Sequence, residues 1–275
     1  LTILLFTETF VTNYYLPFLS SVSQGVDPWS EWIEKGNNPY SFPYGIVLFI
    51  LLYPIAKILT LLDLTSSVVS ANILFGSLYL IFDIYIFKEI RKIAGEKASY
   101  LYFLSPLVIY VTYVYKQTDI FVCLLMLLTG INLIQKKEVK AGIFLGLAIG
   151  AKFGVALVLP FFIIYSFANG RLRANLFRTV CVATLVAAFN YIPLLWSKGF
   201  SNMVFGTRER YRLTDLYLQT GNVRILIFPA LYILLTLWIW RTGRANIQVL
   251  LGFVGVALFI LGITSAQTIG WTLWG

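Results

Sequence analysis

The residues near the start of the chain that are best suited to chemistry lie in one polar, aromatic stretch, DPWSEWIEKGNNPYSFPYG (27–45). Asp27 heads this stretch, and two glutamates follow it among residues that favour turns. A carboxylate held beside a hydroxyl group can take its proton as a general base. Tyr40 and Tyr44 offer rings and hydroxyl groups to a polar substrate. The stretch therefore predicts part of a catalytic loop.

A second polar cluster, KQTD (116–119), follows a long apolar run. Asp119 stands where a helix is predicted to begin, and a carboxylate there is favoured by the helix dipole and can cap backbone N–H groups. The same carboxylate can instead be a catalytic residue of a site near the Asp27 loop, with Gln117 as a substrate-binding side chain. Both interpretations of Asp119 stay open on the sequence alone.

Two further parts of the sequence carry positive charge that could bind an anionic ligand. Lys152 lies in an apolar run, where an ionisable group is costly unless it faces a cavity or a partner. The segment TRERYR holds three arginines in five residues; guanidinium groups bind phosphate bidentately, although such a run also occurs on solvated surfaces. A lipid phosphate or diphosphate is the natural ligand of such a patch. The cations expected to bind it are Lys116, Lys152, Arg208, Arg210 and Arg212.

The composition places these residues in a membrane protein. The 275 residues are 59% hydrophobic and 12% charged, with a mean hydropathy of +0.82, whereas soluble domains are about 25% charged. The chain has no histidine, which excludes histidine acid–base chemistry, His-ligated zinc and a Ser-His-Asp triad. Asp27 with Asp119 could hold a divalent cation through oxygen ligands. Two separated carboxylates are a weak signal, so we expect neither metal nor cofactor.

The apolar runs predict an all-α, polytopic membrane helical bundle of about nine to ten transmembrane helices. We predict one domain over residues 1–275, with the end of a first span at 1–6, a first outer loop at 7–65, core spans within 66–263, an outer loop at 197–222 and the start of a truncated span at 264–275. The complete core spans are expected at 66–87, 99–115, 120–134, 179–196, 223–240 and 247–263. The run 141–168 is long for one crossing and predicts two short helices that meet at Lys152. Because the chain starts with Leu and ends in an unfinished apolar run, we expect a longer protein.

The distribution of Lys and Arg predicts the orientation. Twelve of the 21 lie in four short loops, 88–98, 135–140, 169–178 and 241–246, and short basic loops are cytoplasmic by the positive-inside rule. Charge confined to such loops also argues against nucleic acid as a partner. If the apolar segment 44–62 crossed the bilayer, these loops would face outward, so we predict an interfacial helix there. The candidate residues then face the extracytoplasmic or luminal side of the cell membrane, or of the endoplasmic reticulum in a eukaryote.

Four pieces of the sequence, in this order, resemble the GT-C superfamily of integral-membrane glycosyltransferases. The resemblance covers most of the chain and is strongest to mannosyltransferase-like members, including the GPI-anchor mannosyltransferase type. The pieces are Asp27 followed by GNNPYSFPYG, the pair Ser105–Pro106 followed by Asp119, the run KKEVKAGIFLGLAIGAK that ends at Lys152, and TSAQTIGW with Ser265, Gln267 and Trp271.

The resemblance implies an inverting hexose transfer from a polyprenyl-phosphate sugar to a lipid, glycan or protein acceptor. In such a reaction a carboxylate deprotonates the acceptor, cations stabilise the leaving lipid phosphate, and Gln267 and Trp271 bind substrate. Many members carry the acid soon after the first span, where this chain has only Glu8. Asp27 is therefore the first candidate for the base and Glu8 the second. The family also has an interfacial helix in its first outer loop, in agreement with 44–62.

Two other classes of protein remain compatible with a cationic cavity and broken helices. The first is a flippase or transporter of a lipid-linked sugar, which ordinarily shows internal repeats; no convincing repeat is found here, and the polar residues crowd one face. The second is a non-catalytic assembly or scaffold protein. A transferase is expected to bring Asp27, Asp119 and Lys152 together in one outward-facing cavity, whereas a transporter needs a path to both faces.

Overall fold

The structure is a computed structural model that describes residues 5–23, 26–206, 213–242 and 246–264. Within these ranges the chain is mainly α-helical, as the sequence predicts. The contacts divide it into two compact units, residues 1–124 with 190–207 and residues 125–189 with 208–275. The sequence predicted a single domain, so this division is an addition to that prediction.

The first unit contains short helices interrupted by π-helical turns around one very long helix. Its π-helical turns are Val11–Tyr15, Tyr110–Val114 and Ser201–Phe205, and 3-10 helix Ile192–Leu194 precedes the last of them. Its helices are α1 (Leu16–Ser20), α2 (Pro28–Glu34), α3 (Ile46–Leu61), α4 (Val68–Phe103), α5 (Pro106–Ile109) and α10 (Lys198–Phe200).

The second unit is built from longer helices and one hairpin. Two helices, α6 (Asp119–Ile134) and α9 (Arg173–Tyr191), have residues in both units. The other elements are α7 (Glu138–Ala151), a 3-10 helix (Phe153–Val158), α8 (Leu159–Ala168), strands β1 (Tyr217–Thr220) and β2 (Val223–Leu226), α11 (Ile227–Arg241) and α12 (Ile247–Thr264).

An aromatic cluster forms the core around α2 in the first unit. Trp29 and Trp32, three residues apart and therefore on one side of this helix, are both buried. The Phe18 ring stacks on Phe42 at 4.9 Å between centroids and meets Trp32 edge-on at 5.6 Å, while Trp29 lies 5.3 Å from Phe49. Large rings with fixed geometry hold the helix that Asp27 precedes.

Gly199 lets α10 approach the backbone of α2 from a distant part of the chain. A Cβ at this position would overlap backbone atoms of Trp29 and Ser30, so no larger residue fits without displacing α2. The Gly199 N–H donates to Ser30 Oγ at 3.2 Å, and the Phe200 ring meets Trp29 edge-on at 5.2 Å. The start of α2 is therefore fixed from two sides.

Small residues on α7 allow an equally close approach to α9 in the second unit. A Cβ at Gly142 would lie 2.6 Å from the Val182 Cβ, and one at Gly146 would lie 2.6 Å from the Val186 Cβ and 2.7 Å from the Ala183 carbonyl oxygen. The two glycines are one turn apart, as are their neighbours on α9. This is the small-residue packing typical of membrane helices.

Replacing Gly146 by alanine is expected to destabilise the protein by about 1–3 kcal/mol, because the added methyl group has no room against α9. Gly252→Ala is the matched control, since it adds the same methyl group on α12 where nothing lies within 4 Å. The control should be neutral or slightly stabilising, because alanine favours helices over glycine. Thermal unfolding in detergent measures both, and equal midpoints for the two variants would contradict the packing described.

The hairpin adds a strand to the polar outer loop predicted at 197–222, and it corrects the span predicted to begin at 223. Tyr217 pairs with Leu226 and Thr220 with Val223 in an antiparallel ladder. Gly221 has φ +59, which suits the first central position of a two-residue hairpin turn that glycine favours. β2 therefore takes up Val223–Leu226, and the apolar helix starts at Ile227.

Two basic loops are shorter than predicted because their basic residues continue helices. In α4 the helical backbone runs through the segment predicted as loop 88–98 and is interrupted at Gly95, with φ 86 and ψ 176. The loop predicted at 169–178 gives way to helix at Arg173. Lys and Arg are good helix formers and can stay solvated at a helix end. The span predicted at 99–115 is also divided, at the residues just before Pro106, where proline disfavours helical backbone.

Three helical segments of the described residues are long and apolar enough to cross a membrane: Val68–Phe103, Arg173–Leu194 and Ile247–Thr264. Four shorter apolar segments, of 10 to 17 residues, are Ile46–Leu61, Asp119–Ile134, Phe153–Ala168 and Ile227–Arg241. The first of these matches the segment predicted as interfacial, and its buried residues Leu48, Leu52, Ala56 and Leu59 lie on one side. The protein is thus a helical membrane protein, and the predicted count of nine to ten crossings exceeds the three found by length.

Candidate functional site

The KQTD loop is buried along its whole length. The exposed fractions of Lys116, Gln117, Thr118 and Asp119 are 2%, 1%, 1% and 0%. The loop leaves the π-helical turn Tyr110–Val114 through a tight bend, in which Lys116 has a φ of +55. Left-handed backbone is uncommon outside glycine and is often found at functional sites. Four consecutive buried polar residues therefore form a candidate site rather than a solvated loop.

Other side chains of the first unit complete this polar site. A Cβ at Gly76 would lie 3.7 Å from Lys116 Cε, so the lysine stem lies over this glycine of α4. Tyr79, one turn further along α4 and 1% exposed, interacts electrostatically with Asp119 and Tyr15. The Tyr15 hydroxyl is 2.8 Å from that of Tyr44. Three buried phenols thus lead from Asp119 of the loop to Tyr44.

Three buried polar atoms of this site have no hydrogen-bond partner among the described residues. They are Gln117 Oε1, Thr118 Oγ1 and the Tyr79 hydroxyl, each on a side chain that is about 1% exposed. Buried polar atoms in folded proteins are almost always hydrogen-bonded, and an exception needs an explanation. Three exceptions around one loop indicate a place for a polar ligand or for ordered water.

Burial lowers the pKa of Lys116 from its usual 10.5 to about 8, because the charged ammonium loses hydration. If this charge stabilises a leaving phosphate, the rate of the sugar transfer that the resemblance implies is expected to fall as the pH rises through about 8. Lys116→Arg keeps the charge at these pH values, so the alkaline limit of its residual activity should move upward. The measurement is a pH–rate profile for each protein, and identical alkaline limits would contradict the role of Lys116.

The titration of Lys116 would not make the protein unfold at the pH at which the rate is expected to fall. The folded-state pKa of Lys116 lies below the unfolded value, so between about pH 8 and 10.5 the unfolded state binds more protons. The contribution of Lys116 to the free energy of unfolding therefore rises with pH across that window. Thermal midpoints recorded at the same pH values separate the two effects.

Asp27 occupies the N-cap of α2. Its Oδ1 accepts a hydrogen bond from the Trp29 N–H at 3.2 Å, and Pro28 follows as the first helical residue, an arrangement that favours helix initiation. The side chain is half-buried. The carboxylate keeps one oxygen beyond this bond, so capping and proton transfer are compatible roles.

The other predicted residues of the first outer loop differ in exposure. Glu8 is exposed and accepts a hydrogen bond from Asn13 Nδ2 at 3.2 Å. Tyr40 is 45% exposed, and its N–H donates to Asn38 Oδ1 at 2.9 Å. Tyr44 is 9% exposed and belongs to the buried phenol pair with Tyr15. Of these residues, Tyr44 lies with the KQTD site, whereas Tyr40 is open to solvent.

Lys152 interrupts the helical run as predicted. α7 ends at Ala151, Lys152 itself is extended with φ −138 and ψ 114, and a 3-10 helix starts at Phe153. Its side chain is 6% exposed, as expected of an ionisable group that interacts within the protein. It belongs to the second unit, so its convergence with Asp27 and Asp119 stays a prediction.

The remaining predicted site residues lie outside the described residues: Arg208, Arg210, Arg212, Ser265, Gln267 and Trp271. Among the described residues, no three His, Cys, Asp or Glu side chains gather as a metal site would require. Independence of metal stays a prediction.

Asp83 is a buried carboxylate that the sequence reasoning missed. It lies in α4, is 1% exposed, and accepts hydrogen bonds from the Tyr102 hydroxyl at 2.7 Å and from the Tyr113 hydroxyl at 2.5 Å. A single acid inside the apolar run 66–87 was the signal, since ionisable residues within membrane spans are rarely accidental. Tyr113 belongs to the π-helical turn before Lys116, so this interaction fixes the approach to the KQTD loop.

The long apolar helices and the buried polar site define a helical membrane protein with a candidate active site. The family model "Glycosyltransferase family 87" matches residues 42–273, which is most of the chain. The chain therefore belongs to glycosyltransferase family 87. The match includes the KQTD loop and Lys152 and begins after Asp27. Neither a curated protein nor a solved structure gives a significant match.

Proposed function

We propose that this glycosyltransferase moves a hexose, mannose or a similar sugar, from a polyprenyl-phosphate donor such as dolichyl phosphate to a lipid, glycan or protein acceptor. The transfer inverts the anomeric centre and takes place on the extracytoplasmic or luminal side. The observation that carries this proposal is the buried KQTD loop with its partnerless polar atoms, in a chain of a glycosyltransferase family. The architecture proposed is the GT-C type, with about nine to ten transmembrane helices and the interfacial helix at 44–62.

In the proposed reaction Asp27 takes the proton of an acceptor hydroxyl, with Glu8 as the second candidate. The acceptor oxygen forms a bond to the anomeric carbon while the bond from that carbon to the phosphate oxygen breaks. The lipid phosphate leaves with the bonding electrons. Lys152 and Lys116 stabilise the charge that develops on it, since fixed cations in a site shielded from water act strongly on a transition state. Arg208, Arg210 and Arg212 are proposed for the same phosphate.

Asp119, Gln117 and Tyr44 are proposed to position the sugar or the acceptor. The support is their common location: Asp119 and Gln117 are buried in the KQTD loop, and Tyr44 reaches it through Tyr15 and Tyr79. Tyr40, which is exposed, is proposed to contact substrate at the rim, and Gln267 and Trp271 are proposed by the resemblance alone. No metal enters the reaction as proposed.

The test is incubation of membranes that contain the protein with labelled polyprenyl-phosphate mannose and, separately, glucose. Time-dependent movement of label from the lipid phosphate to a second molecule supports the proposal, and the better donor names the sugar. Membranes from cells without the protein are the control. Label that crosses the bilayer on its original lipid without being transferred would instead identify a flippase. If the protein caused neither transfer of label nor movement across the bilayer, an assembly role would remain.

A further inference from the structure

A cavity of about 580 Å³ lies among the helix connections of the second unit, and the described residues that line it include none of those proposed for catalysis. Three connections meet around it, namely those between α6 and α7, between α8 and α9, and between α11 and α12. These connections belong to the basic loops that the sequence predicts on the cytoplasmic face. The volume is within the range of small-molecule sites.

The polar part of the cavity carries net positive charge. Lys136 and Arg171 line it, with Glu138 as the acid among the lining residues. Lys136 has a φ of +57, because it follows the end of α6 in a tight turn in which its N–H donates to the Leu133 carbonyl. The backbone thus places this lysine at the cavity by a fixed turn. Two cations with one acid favour an anionic ligand.

Neutral polar groups accompany the charges. Asn169, which is 7% exposed, Asn175 and Asn246 also line the cavity. Asn169 and Asn246 accept hydrogen bonds from the N–H groups of Leu172 and Val249, so both side chains are held in place. The helices α7, α9 and α12 all begin here, and helix N-termini add to the attraction of an anion.

The rest of the wall is apolar. Leu133, Ile134, Leu172, Leu176 and Ile247 line the cavity beside the polar residues. A small hydrophilic anion would not cover this apolar wall. An amphiphilic ligand would bind with its charged head group at the polar residues and the first part of its hydrocarbon chain against the apolar wall. Basic pockets between membrane helices on the cytoplasmic side are suited to anionic lipid head groups, because the inner leaflet carries negative charge.

We propose that this cavity binds the phosphate head group of an anionic glycerophospholipid from the cytoplasmic leaflet. Lys136 and Arg171 bind the phosphate, Asn175 donates a further hydrogen bond to it, and the leucine and isoleucine side chains hold the first part of an acyl chain. The site is separate from the proposed transfer reaction and does not depend on it.

The proposal is tested by titrating the purified protein in detergent with dioleoylphosphatidylglycerol and with dioleoylphosphatidylcholine, and counting bound lipids by native mass spectrometry. We expect tighter binding of phosphatidylglycerol. The double variant Lys136→Gln, Arg171→Gln is expected to bind it about 25-fold more weakly, from roughly fivefold for each charge near a membrane surface. Both residues are exposed on loops, so the variant should fold.

The matched control is Lys140→Gln, Arg178→Gln, which removes two exposed charges of the same basic face that do not line the cavity. Its affinity for phosphatidylglycerol should stay within about twofold of the unaltered protein. An equal loss in both double variants would mean diffuse surface attraction and would overturn the site. Equal binding of phosphatidylcholine, or displacement of the lipid by millimolar glycerol phosphate or inorganic phosphate, would overturn the lipid assignment.

A second variant separates the shape of the cavity from its charge. Ala168→Phe adds a ring to the wall and leaves every cation in place. It should abolish the preference for phosphatidylglycerol while the thermal midpoint without lipid stays close to that of the unaltered protein. Unchanged lipid binding in a folded Ala168→Phe protein would exclude this cavity as the binding site.

Discussion

Asp27→Asn is expected to lower the rate of sugar transfer by about 10²–10⁴-fold, the contribution typical of a positioned general base. The substitution removes the proton acceptor and little else. Asn is as good an N-cap residue as Asp, so the bond to the Trp29 N–H at 3.2 Å is kept. The aromatic cluster and the contact with Gly199 continue to hold α2. A folded but inactive protein is the expected result.

Transfer rates with a labelled polyprenyl-phosphate sugar, together with thermal midpoints, measure this effect. Glu34→Gln is the control, because it neutralises an exposed carboxylate on the same short helix and should leave both quantities unchanged. Near-normal turnover of Asp27→Asn would remove Asp27 from the reaction, and the same loss in Glu8→Gln would then assign the base to Glu8. A loss of activity accompanied by unfolding would assign Asp27 a capping role only.

Lys152→Met is expected to lower the rate of sugar transfer by about 10²–10³-fold, the effect of removing one group that stabilises a developing negative charge. Methionine keeps an unbranched, flexible stem at this buried position but has no charge. The extended backbone at Lys152 separates α7 from the 3-10 helix, and the substitution does not require it to change. The rate should therefore fall much further than the stability.

The control for Lys152 is Lys198→Met, which replaces an exposed lysine of α10. Lys152→Arg should recover part of the lost rate, since a cation returns to the site. Donor affinity, from the dependence of rate on donor concentration, shows whether the lysine acts on the bound donor or on the transition state. An unchanged rate and an unchanged affinity in Lys152→Met would end the proposed role in phosphate binding.

The parts of the fold that the sequence predicted well are those set by strong local signals. A lysine among small residues predicted the break at Lys152, and the structure has it. Asp119 was expected to begin a helix, and α6 starts there. The polar character of KQTD marked a site, but composition cannot tell whether a polar loop is solvated or buried. Its burial depends on the packing of α4 against the loop, where Gly76 leaves room for Lys116.

Other features could not be predicted by hydropathy alone, because apolar residues occur equally on lipid-facing surfaces, in the protein core and in strands. Val223–Leu226 is apolar enough to begin a span, and the turn at Gly221 makes it a strand. The basic segment within α4 and the basic start of α9 were predicted as loops because charged residues were taken as a sign of irregular backbone. Asp83 was missed because only the acids in loops on the two sides of the membrane were considered, and Asp83 lies within a predicted span.

Asp83 also has a consequence for movement in the first unit. Its carboxylate holds Tyr102 and Tyr113, which come after the interruption of α4 at Gly95. Moving this returning part of the chain away from the first part of α4, which carries Asp83, would deprive a buried carboxylate of both hydrogen-bond donors, at a steep cost in free energy. The KQTD loop, three residues beyond Tyr113, is therefore anchored and cannot act as a lid. Any hinge that admits a substrate has to lie in other elements.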